Sequence, residues 1–343
     1  MYNIVKMQFE SATRFGIRSL DNTFKICHSD TLFSAIFIEI MNFYGLERAI
    51  EFQNKISDGK ILISTAFPYF YDEDEEQTRL FISKPIIYFD NGVENKKESN
   101  LDEGKSLKKL VKQIEYIQIS DLENYINDIA NGNSENIKIY YSKMIEQKMD
   151  VKVNMEKESN PYTVVSNVYG NVLENDGINI KGKSGLYFII KSEQDDDINM
   201  IKTALISLQY TGIGGKRSIG YGRFRLIGPT ALLDNNYDDE CLFKYLENVK
   251  TANTKILISL LSPKKSEIEK IISDNSYYSL IRRGGFIYSD KYSKTNLKKK
   301  EIYMLAEGSC LNECLDGEVQ NLAIGGNHNI YRNGKGMYIG INL

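Results

Sequence analysis

One short segment, TGIGGKRSIGYGRFRL at residues 211–226, has the composition of a phosphate-binding site. Its sixteen positions hold five glycines and four cations, Lys216, Arg217, Arg223 and Arg225. Glycine lets another backbone approach closely, and lysine or arginine neutralises phosphate charge. The segment therefore predicts a site for a mononucleotide, a dinucleotide or a polynucleotide.

Two nucleotide-binding patterns do not fit this segment. A Walker loop ends in Gly-Lys-Ser or Gly-Lys-Thr, but Gly215-Lys216 is followed by Arg217. A dinucleotide fingerprint would need glycine at position 217 or 225, and arginine occupies both. Both patterns also open a helix, whereas here a predicted helix ends and a strand begins. A polynucleotide remains, with its sugar–phosphate strand against the loop N–H groups and with Lys216 and Arg217 on phosphates. The alternative is a glycine-rich turn with ordinary surface cations.

The elements that must position this segment repeat one pattern. The first unit comprises strand MYNIVKMQFES, a helix capped by Ser29 or Asp30 and stopped at Gly45, strands KILISTAFPYFY, RLFISKPIIYF and GLYFIIKS, helix DDINMIKTALISLQY and strand YGRFRLIG. In that last strand Arg223 and Arg225 share one face. The second unit comprises strand KILISLLS, helix KSEIEKIISD, strands YYSLIRRGGFIYSD and EIYMLAEGSCL, and a closing HNIYRNGKGMYIGI.

This order predicts an α+β fold of two ferredoxin-like (RRM-like) domains, the second degenerate, at residues 1–228 and 229–343. The glycine-rich loop covers 211–222. Residues 91–160 are rich in Asn, Lys, Glu and Ser, and they predict an insertion with some helix (SLKKLVKQIEYI, DLENYINDIA) outside the main core.

Charge is distributed unevenly along the chain. Residues 202–343 carry 20 Lys and Arg against 14 Asp and Glu, whereas residues 1–201 carry 23 against 32, for a net charge of −3 overall. We expect the basic part to meet a polyanion and the acidic part to face protein.

Membrane spans, cofactors and metal sites are not expected. The sequence contains no run of eighteen uncharged apolar residues and no signal-peptide pattern at its start. Cys27, Cys241, Cys310 and Cys314 are irregularly spaced, which favours reduced thiols in the cytoplasm. Cys310 and Cys314 have only His328 as a further soft ligand in their region, which disfavours zinc.

At several places the sequence is similar to a known family. GIGGKRSIGYGRF after a helix resembles the glycine-rich loop of RAMP proteins, the RNA-recognition-motif-like subunits of CRISPR effector complexes. HSDTLFSAI, RRGGFIYSD and GNHNIYRNGKGMYIGI resemble one branch, the fourth Csm subunit of type III-A complexes, in the Cas-five-like group. The family commonly has proline after this histidine, where Asn329 follows His328 here.

The resemblance implies a non-catalytic subunit that binds the 5′ repeat-derived tag of the CRISPR RNA (crRNA). Its expected partners are that crRNA, the large polymerase- or cyclase-type subunit and a neighbouring RAMP backbone subunit, which it would bridge in antiviral defence. A thumb, for which residues 91–160 are the candidate, would wedge into the duplex of guide and target RNA. The residues expected on the tag path are those of the glycine loop, Gly212, Gly214, Gly215, Lys216, Arg217, Ser218 and Arg223, and Arg14 and Phe15 after the first strand.

Two further motifs allow alternative interpretations. His28 could be a general base, because related RAMP endoribonucleases use a histidine on a 2′-hydroxyl, or an RNA contact, or a structural residue. Ser29 could accompany it at the RNA, but helix capping by Ser29 or Asp30 explains the motif equally. Arg282 and Arg283 could be solvated turn residues or a second contact with RNA or a partner. The rival functions are a metal-independent crRNA-processing endoribonuclease and a general RNA-binding protein.

Overall fold

A computed structural model describes residues 1–16, 20–87, 109–131, 133, 136–152, 162–231, 237–272, 276–287, 292 and 297–342. In these ranges no helix is long and apolar enough to cross a bilayer. The thumb prediction falls partly on 91–108 and 153–160, which lie outside them.

Among the described residues, nine strands form one antiparallel sheet. They are β1 (Tyr2–Phe9), β4 (Ile61–Ile63), β5 (Phe67–Asp72), β6 (Gln77–Ser83), β7 (Tyr116–Gln118), β8 (Ser142–Lys152), β9 (Tyr162–Asn175), β10 (Ile178–Ser192) and β11 (Phe224–Ala231). The path through the sheet is β11-β1-β10-β5-β6-β7, β4 also pairs with β10, and β9 joins β10 to β8. A separate ribbon pairs β2 (Phe15–Gly16) with β3 (Thr23–Phe24).

The central strand β10 shows why the sheet is buried on both faces. Leu186, Phe188 and Ile190 belong to one hydrophobic cluster, and the intervening Tyr187 and Ile189 belong to another. Successive side chains of a strand point to opposite faces. The apolar run GLYFIIKS therefore supplies both cores, and its prediction as a strand is confirmed.

Two helices cover the face of the sheet that carries Leu186, Phe188 and Ile190. α1 (Ser29–Ser57) and α3 (Asp195–Thr211) pack against each other and against this face. The predicted stop at Gly45 marks a break in helical backbone, with φ +84°, but a further helical segment follows it to Ser57. That segment buries Ala49 and Phe52 in the same cluster, so tertiary packing stabilises a second helical segment beyond the kink at the glycine.

The second face meets the insertion and the C-terminal part of the chain. Helix α2 (Leu122–Asn131) confirms the prediction for DLENYINDIA. The expectation that the insertion lies outside the main core is wrong. Its apolar residues share a cluster with Ile256 and Ile339 of the C-terminal part, and β7 extends the main sheet; they are Ile114, Ile117, Ile119, Leu122, Tyr125, Ile126, Ile137 and Tyr140.

The C-terminal part has shorter elements than the sequence predicts. They are α4 (Tyr237–Glu247), β12 (Thr254–Leu257), α5 (Ile268–Ile271), β13 (Leu280–Arg283), β14 (Ile302–Leu305), β15 (Cys310–Leu311), β16 (Gln320–Asn321), β17 (Tyr331–Arg332) and β18 (Tyr338–Ile341). β15, β12 and β18 form one sheet, while β13–β14 and β16–β17 are two-stranded ribbons. The predicted helix KSEIEKIISD reduces to a 3₁₀ turn at Lys265–Glu267 followed by α5.

Candidate nucleic-acid interface

The glycine segment links the end of α3 to the start of β11. A loop occupies residues 212–223, with a 3₁₀ turn at Arg217–Ile219. This confirms the predicted order of helix, glycine loop and strand. The anion site of a helix N-terminus is therefore not what this loop provides.

The loop is hydrogen-bonded to the segment that follows β1. Gly215 N donates to the carbonyl of Arg14 at 2.7 Å, and Gly222 N donates to that of Ala12 at 2.9 Å. Within the loop, Ile213 N donates to Gly222 O at 3.0 Å. The prediction that Arg14 and Phe15 lie beside the glycine loop is confirmed.

Close packing explains three of the glycines. Gly212, Gly214 and Gly222 all have positive φ, and a Cβ at Gly222 would lie 2.0 Å from Ile213 O. A Cβ at Gly214 would lie 2.6 Å from Arg14 O. Side chains at these positions would push the loop away from its support.

Several loop N–H groups are already engaged inside the protein. Gly212 N donates to Leu208 O and Gly220 N to Arg217 O, in addition to the bonds of Gly215 and Gly222. For these four glycines, this corrects the expectation that their N–H groups lie against phosphates. The cationic side chains of the loop are the stronger candidates for phosphate contacts.

Those side chains form a positive outer surface. Arg217, Ser218, Arg223 and Arg225 are exposed and Lys216 is half-buried. Arg223 Nη2 would be 3.5 Å from a Cβ at Gly220, which places its guanidinium beside the loop. Phe224 is buried between Arg223 and Arg225, so the prediction that the two arginines share the outer face is confirmed. We call Lys216, Arg217, Arg223 and Arg225 the loop cations.

Two neighbours hold the loop cations in place. Lys216 has left-handed backbone, with φ +60°, and its Nζ lies 5.9 Å from the centre of the Tyr162 ring. Arg225 Nη2 donates to Glu10 Oε1 at 3.3 Å. Glu10 and Tyr162 are thus the described neighbours of two of the four loop cations.

Arg14 and Phe15 lie beneath this surface. Arg14 is buried and its Nη2 donates to Asn22 O at 3.3 Å; burial lowers the pKa of its guanidinium, although Asp21 opposes that shift. The Phe15 ring is only 2% exposed and packs under Gly214. Its visible role is to support the loop.

The motif HSD does not cap α1 in the predicted way. His28 is the N-cap residue, and its side chain makes no capping hydrogen bond. The Ser29 hydroxyl accepts from Leu260 N at 2.9 Å, and the Asp30 carboxylate points to the C-terminal part. The capping explanation is wrong because both side chains join the two halves of the chain.

Asp30 is the centre of a buried ion cluster. It accepts from Arg283 Nε at 2.9 Å and Nη2 at 2.8 Å, and from Arg332 Nη1 at 2.5 Å. Burial alone would raise the pKa of Asp30, but the two guanidiniums outweigh it and hold the pKa well below its usual range. Arg283 is 8% exposed, so its interpretation as a solvated turn residue is wrong, whereas Arg282 is exposed and pairs with Glu301. We call Asp30, Arg283 and Arg332 the Asp30 cluster.

His28 is enclosed beside this cluster. Its Nδ1 lies 2.9 Å from Glu307 Oε1, and its buried Nε2 has no hydrogen-bond partner among the described residues. Glu307 also accepts from the Thr65 hydroxyl. Burial would raise the pKa of Glu307, but His28 and these hydrogen bonds lower it overall.

Family models match most of the chain. Residues 59–225 match the RAMP superfamily, and residues 250–341 match the CRISPR Csm4 C-terminal domain. A Csm4 protein from Streptococcus thermophilus is 25% identical over 324 residues, covering 93% of this chain and 91% of the relative. A Csm4 protein from Methanocaldococcus jannaschii is 25% identical over 340 residues, covering 93% and 88%.

The chain belongs to the Csm4 family. Its fold is similar to a chain of a Csm3–Csm4 subcomplex from the type III-A CRISPR-Cas interference complex, with a TM-score of 0.58, 20% identity and coverage of 99% and 100%. A chain of a Csm1–Csm4 cassette in complex with pppApA gives a TM-score of 0.56, 17% identity and coverage of 100% and 99%. The RAMP resemblance of the sequence is therefore confirmed.

The family motifs meet at the Asp30 cluster. HSD, RRGG and IYRNG supply Asp30, Arg283 and Arg332, respectively. The sequence reasoning missed Arg332 and Glu307 as partners of the HSD motif. One signal could have found them: three separate motifs resemble the same family, and one of them carries an acid while the other two carry arginines.

Proposed function

We propose that this chain holds the 5′ repeat-derived tag of a crRNA in a type III-A Csm effector complex. The observation that carries the proposal is the positive surface of the loop cations, fixed to the sheet in a Csm4-family chain. Lys216 and Arg217 would contact phosphates, because lysine and arginine on a rigid loop neutralise an RNA backbone. The Ser218 hydroxyl is exposed beside them and can bond a phosphate or a 2′-hydroxyl.

The fold suits this role. We assign residues 1–228 to a ferredoxin-like domain, since β1, α1, β5, β10, α3 and β11 follow the β-α-β-β-α-β order and lie as β11-β1-β10-β5 in the sheet. Residues 229–343 would be its degenerate counterpart. The loop then lies at the junction of the second helix and the last strand of the first domain.

The bridging role is supported by the solved relatives. Structures described as a Csm3–Csm4 subcomplex and as Csm1–Csm4 cassettes contain chains with this fold. We propose that this chain likewise connects a large subunit to a backbone subunit. The β8–β9 hairpin reaches the loop through Tyr162 and Lys216, and it is the candidate base of a thumb directed at the duplex of guide and target RNA.

We further propose that the subunit is not a nuclease. The His28 ring is enclosed by protein, and Glu307 and the Phe24 ring occupy its surroundings. A general base must reach the proton that it abstracts. Metal-independent cleavage of repeat RNA that is lost in His28→Ala would contradict this assignment.

The test of tag binding is the salt dependence of affinity. Lys216→Ala with Arg217→Ala should weaken binding of an oligonucleotide with the tag sequence, and should flatten the log–log salt slope by about 1.4, since each lost contact with a single strand contributes about 0.7. Lys244→Ala with Lys250→Ala is the matched control, because both lysines are exposed and removal costs the same charge. Equal slopes for the two double variants would refute the proposed interface.

Membership of the assembly needs a separate measurement. The chain carrying an affinity label and expressed in its native host should co-purify with crRNA and with other Csm subunits. Recovery of diverse cellular RNA without those subunits would instead support a general RNA-binding protein.

A further inference from the structure

The ribbon β13–β14 presents a surface that the proposed tag site does not use. Arg282 pairs with Tyr303, and Arg283 with Ile302. The pairing continues beyond β13, where Phe286 bridges Lys298. We call residues 280–287 and 297–305 the ribbon.

The two faces of the ribbon differ sharply. Arg283, Ile287 and Met304 are buried, and Arg283 anchors this face to Asp30. Tyr303 lies on the opposite face, beside Arg282, and is 63% exposed, while Phe286 beyond the end of β13 is 46% exposed. Exposed apolar surface of this kind can mark a binding site when groups that suit one ligand surround it.

Cations accompany these rings. Lys298 Nζ lies 5.8 Å from the centre of the Phe286 ring, and Arg282 is exposed directly opposite Tyr303. Of the five Lys and Arg in the ribbon, Arg283 is buried and Lys299 is half-buried, which leaves Arg282, Lys298 and Lys300 exposed with one acid, Glu301. Glu301 pairs with Arg282, and such an exposed ion pair contributes little and exchanges readily for another anion.

Charge and chemistry favour a nucleic acid over a protein as the ligand. Exposed rings beside lysine and arginine bind single strands, because bases stack on the rings while the cations follow the phosphates. Protein interfaces are enriched in tyrosine and arginine but depleted in lysine. We propose that the outer face of the ribbon is a second binding surface for single-stranded RNA, with Phe286 and Tyr303 stacking bases and Arg282 and Lys298 contacting phosphates. This inference adds a second site to the proposed RNA-binding function, on which it rests.

The experiment measures binding of a labelled 12-nucleotide oligouridylate to the full chain by fluorescence anisotropy over a salt series. Phe286→Ala with Tyr303→Ala should raise Kd about tenfold or more with an unchanged salt slope, since stacking is uncharged. Tyr303→Phe keeps the ring and should bind as the wild type does. Arg282→Ala with Lys298→Ala should flatten the slope by about 1.4.

The matched control also removes one exposed tyrosine and one exposed phenylalanine. Tyr210 and Phe43 are 78% and 57% exposed and lie on α3 and α1. Tyr210→Ala with Phe43→Ala should leave Kd unchanged. All variants should keep the wild-type Tm, because the replaced side chains are exposed.

The possible results separate this inference from the tag-site proposal. Wild-type affinity in Phe286→Ala with Tyr303→Ala, alongside weakened binding in Lys216→Ala with Arg217→Ala, would overturn the ribbon site alone. Wild-type affinity in both would overturn both proposals. A ribbon variant that keeps RNA affinity but loses co-purifying Csm subunits would make the ribbon a protein contact and also overturn the inference.

Discussion

Replacing Arg283 by methionine should destabilise the protein, whereas the same change at the adjacent Arg282 should not. Both arginines lie on β13 and both pair with a carboxylate. Arg283 is buried with Asp30, but Arg282 is exposed with Glu301. Burial is the main difference between the two changes.

The magnitude follows from the environment of Asp30. Removing one partner of a buried ion pair typically costs about 3–5 kcal/mol, because the other charge stays buried without compensation. Arg332 still contacts Asp30 in the Arg283→Met variant, so we expect about 3 kcal/mol. An entropy of unfolding of about 2.1 cal/mol/K per residue, over 343 residues, then converts this loss into a Tm decrease of about 4 °C. Arg282→Met should lower Tm by less than about 1 °C, since exposed ion pairs contribute little.

Thermal unfolding followed by circular dichroism measures both variants under the same conditions. Asp30→Asn is the third variant, and its loss should exceed that of Arg283→Met because it leaves two guanidiniums facing each other. The double variant Asp30→Asn with Arg283→Met should lose less than the sum of the single changes, since both act on one contact. Equal Tm values for Arg283→Met and Arg282→Met, or strict additivity in the cycle, would refute this account of the Asp30 cluster.

Three further predictions concern a loop glycine, the pH dependence of Asp30 and the ribbon residue Lys299. Gly222→Ala should lower Tm by about 3–7 °C, because it strains a backbone at φ +77° and places Cβ 2.0 Å from Ile213 O. Gly215→Ala is the control and should change Tm by less than about 1 °C, because its Cβ would meet no atom closer than 3.5 Å. Similar losses of Tm in both variants would contradict the packing explanation. The fold depresses the pKa of Asp30, so the ionised carboxylate contributes its full stability above the unfolded pKa of about 4. The difference in Tm between the wild type and Asp30→Asn should therefore narrow as pH falls below that value. A constant difference down to pH 2 would contradict the depressed pKa. Burial first, and then nearby arginines, lower the pKa of Lys299 to about 8, so its charge destabilises the fold at pH 7. Lys299→Met should therefore raise Tm at pH 7, and this gain should shrink between pH 8 and about 10.5. An unchanged Tm at pH 7 would show that the ammonium is well solvated.

Periodicity and order along the chain predicted the elements around the loop. β1, α3 and the core of β10 follow from apolar patterns of period 2 or 3.6 that local sequence makes visible. The position of the loop between a helix and a strand follows from the same patterns. Proximity of Arg14 to the loop followed from the expected fold and was confirmed by the Gly215–Arg14 hydrogen bond.

The Asp30 cluster could not be predicted from local sequence. Arg283 and Arg332 lie 253 and 302 positions from Asp30, and no periodic pattern connects them. Ser29 and Asp30 at the start of a helix match the letters of an N-cap, so local preference gave a complete but incorrect explanation. Only the tertiary arrangement determines whether such a carboxylate bonds its own helix or a distant arginine.

The prediction that the insertion lies outside the core failed for a different reason. Its apolar residues are spaced among many polar ones, which is typical of segments that contribute single side chains to a core built mostly by other elements. Ile117 and Leu122 are fully buried, yet they pack with residues of strands that are distant along the chain. Composition over a window averages these contributions away and predicts a surface segment.

Contacts connect the loop to the ribbon through the interior. Gly215 bonds the backbone of Arg14, and the next residue, Phe15, pairs with Phe24 across β2–β3. The guanidinium of Arg283 lies 5.7 Å from the centre of the Phe24 ring while it bonds Asp30. The loop cations and the outer face of the ribbon are therefore held on one packed framework, whose charged centre requires a specific arrangement of carboxylate and guanidinium groups. A subunit whose task is to fix the path of an RNA strand needs such a framework, because phosphate and stacking contacts position a strand only when their own spacing is fixed.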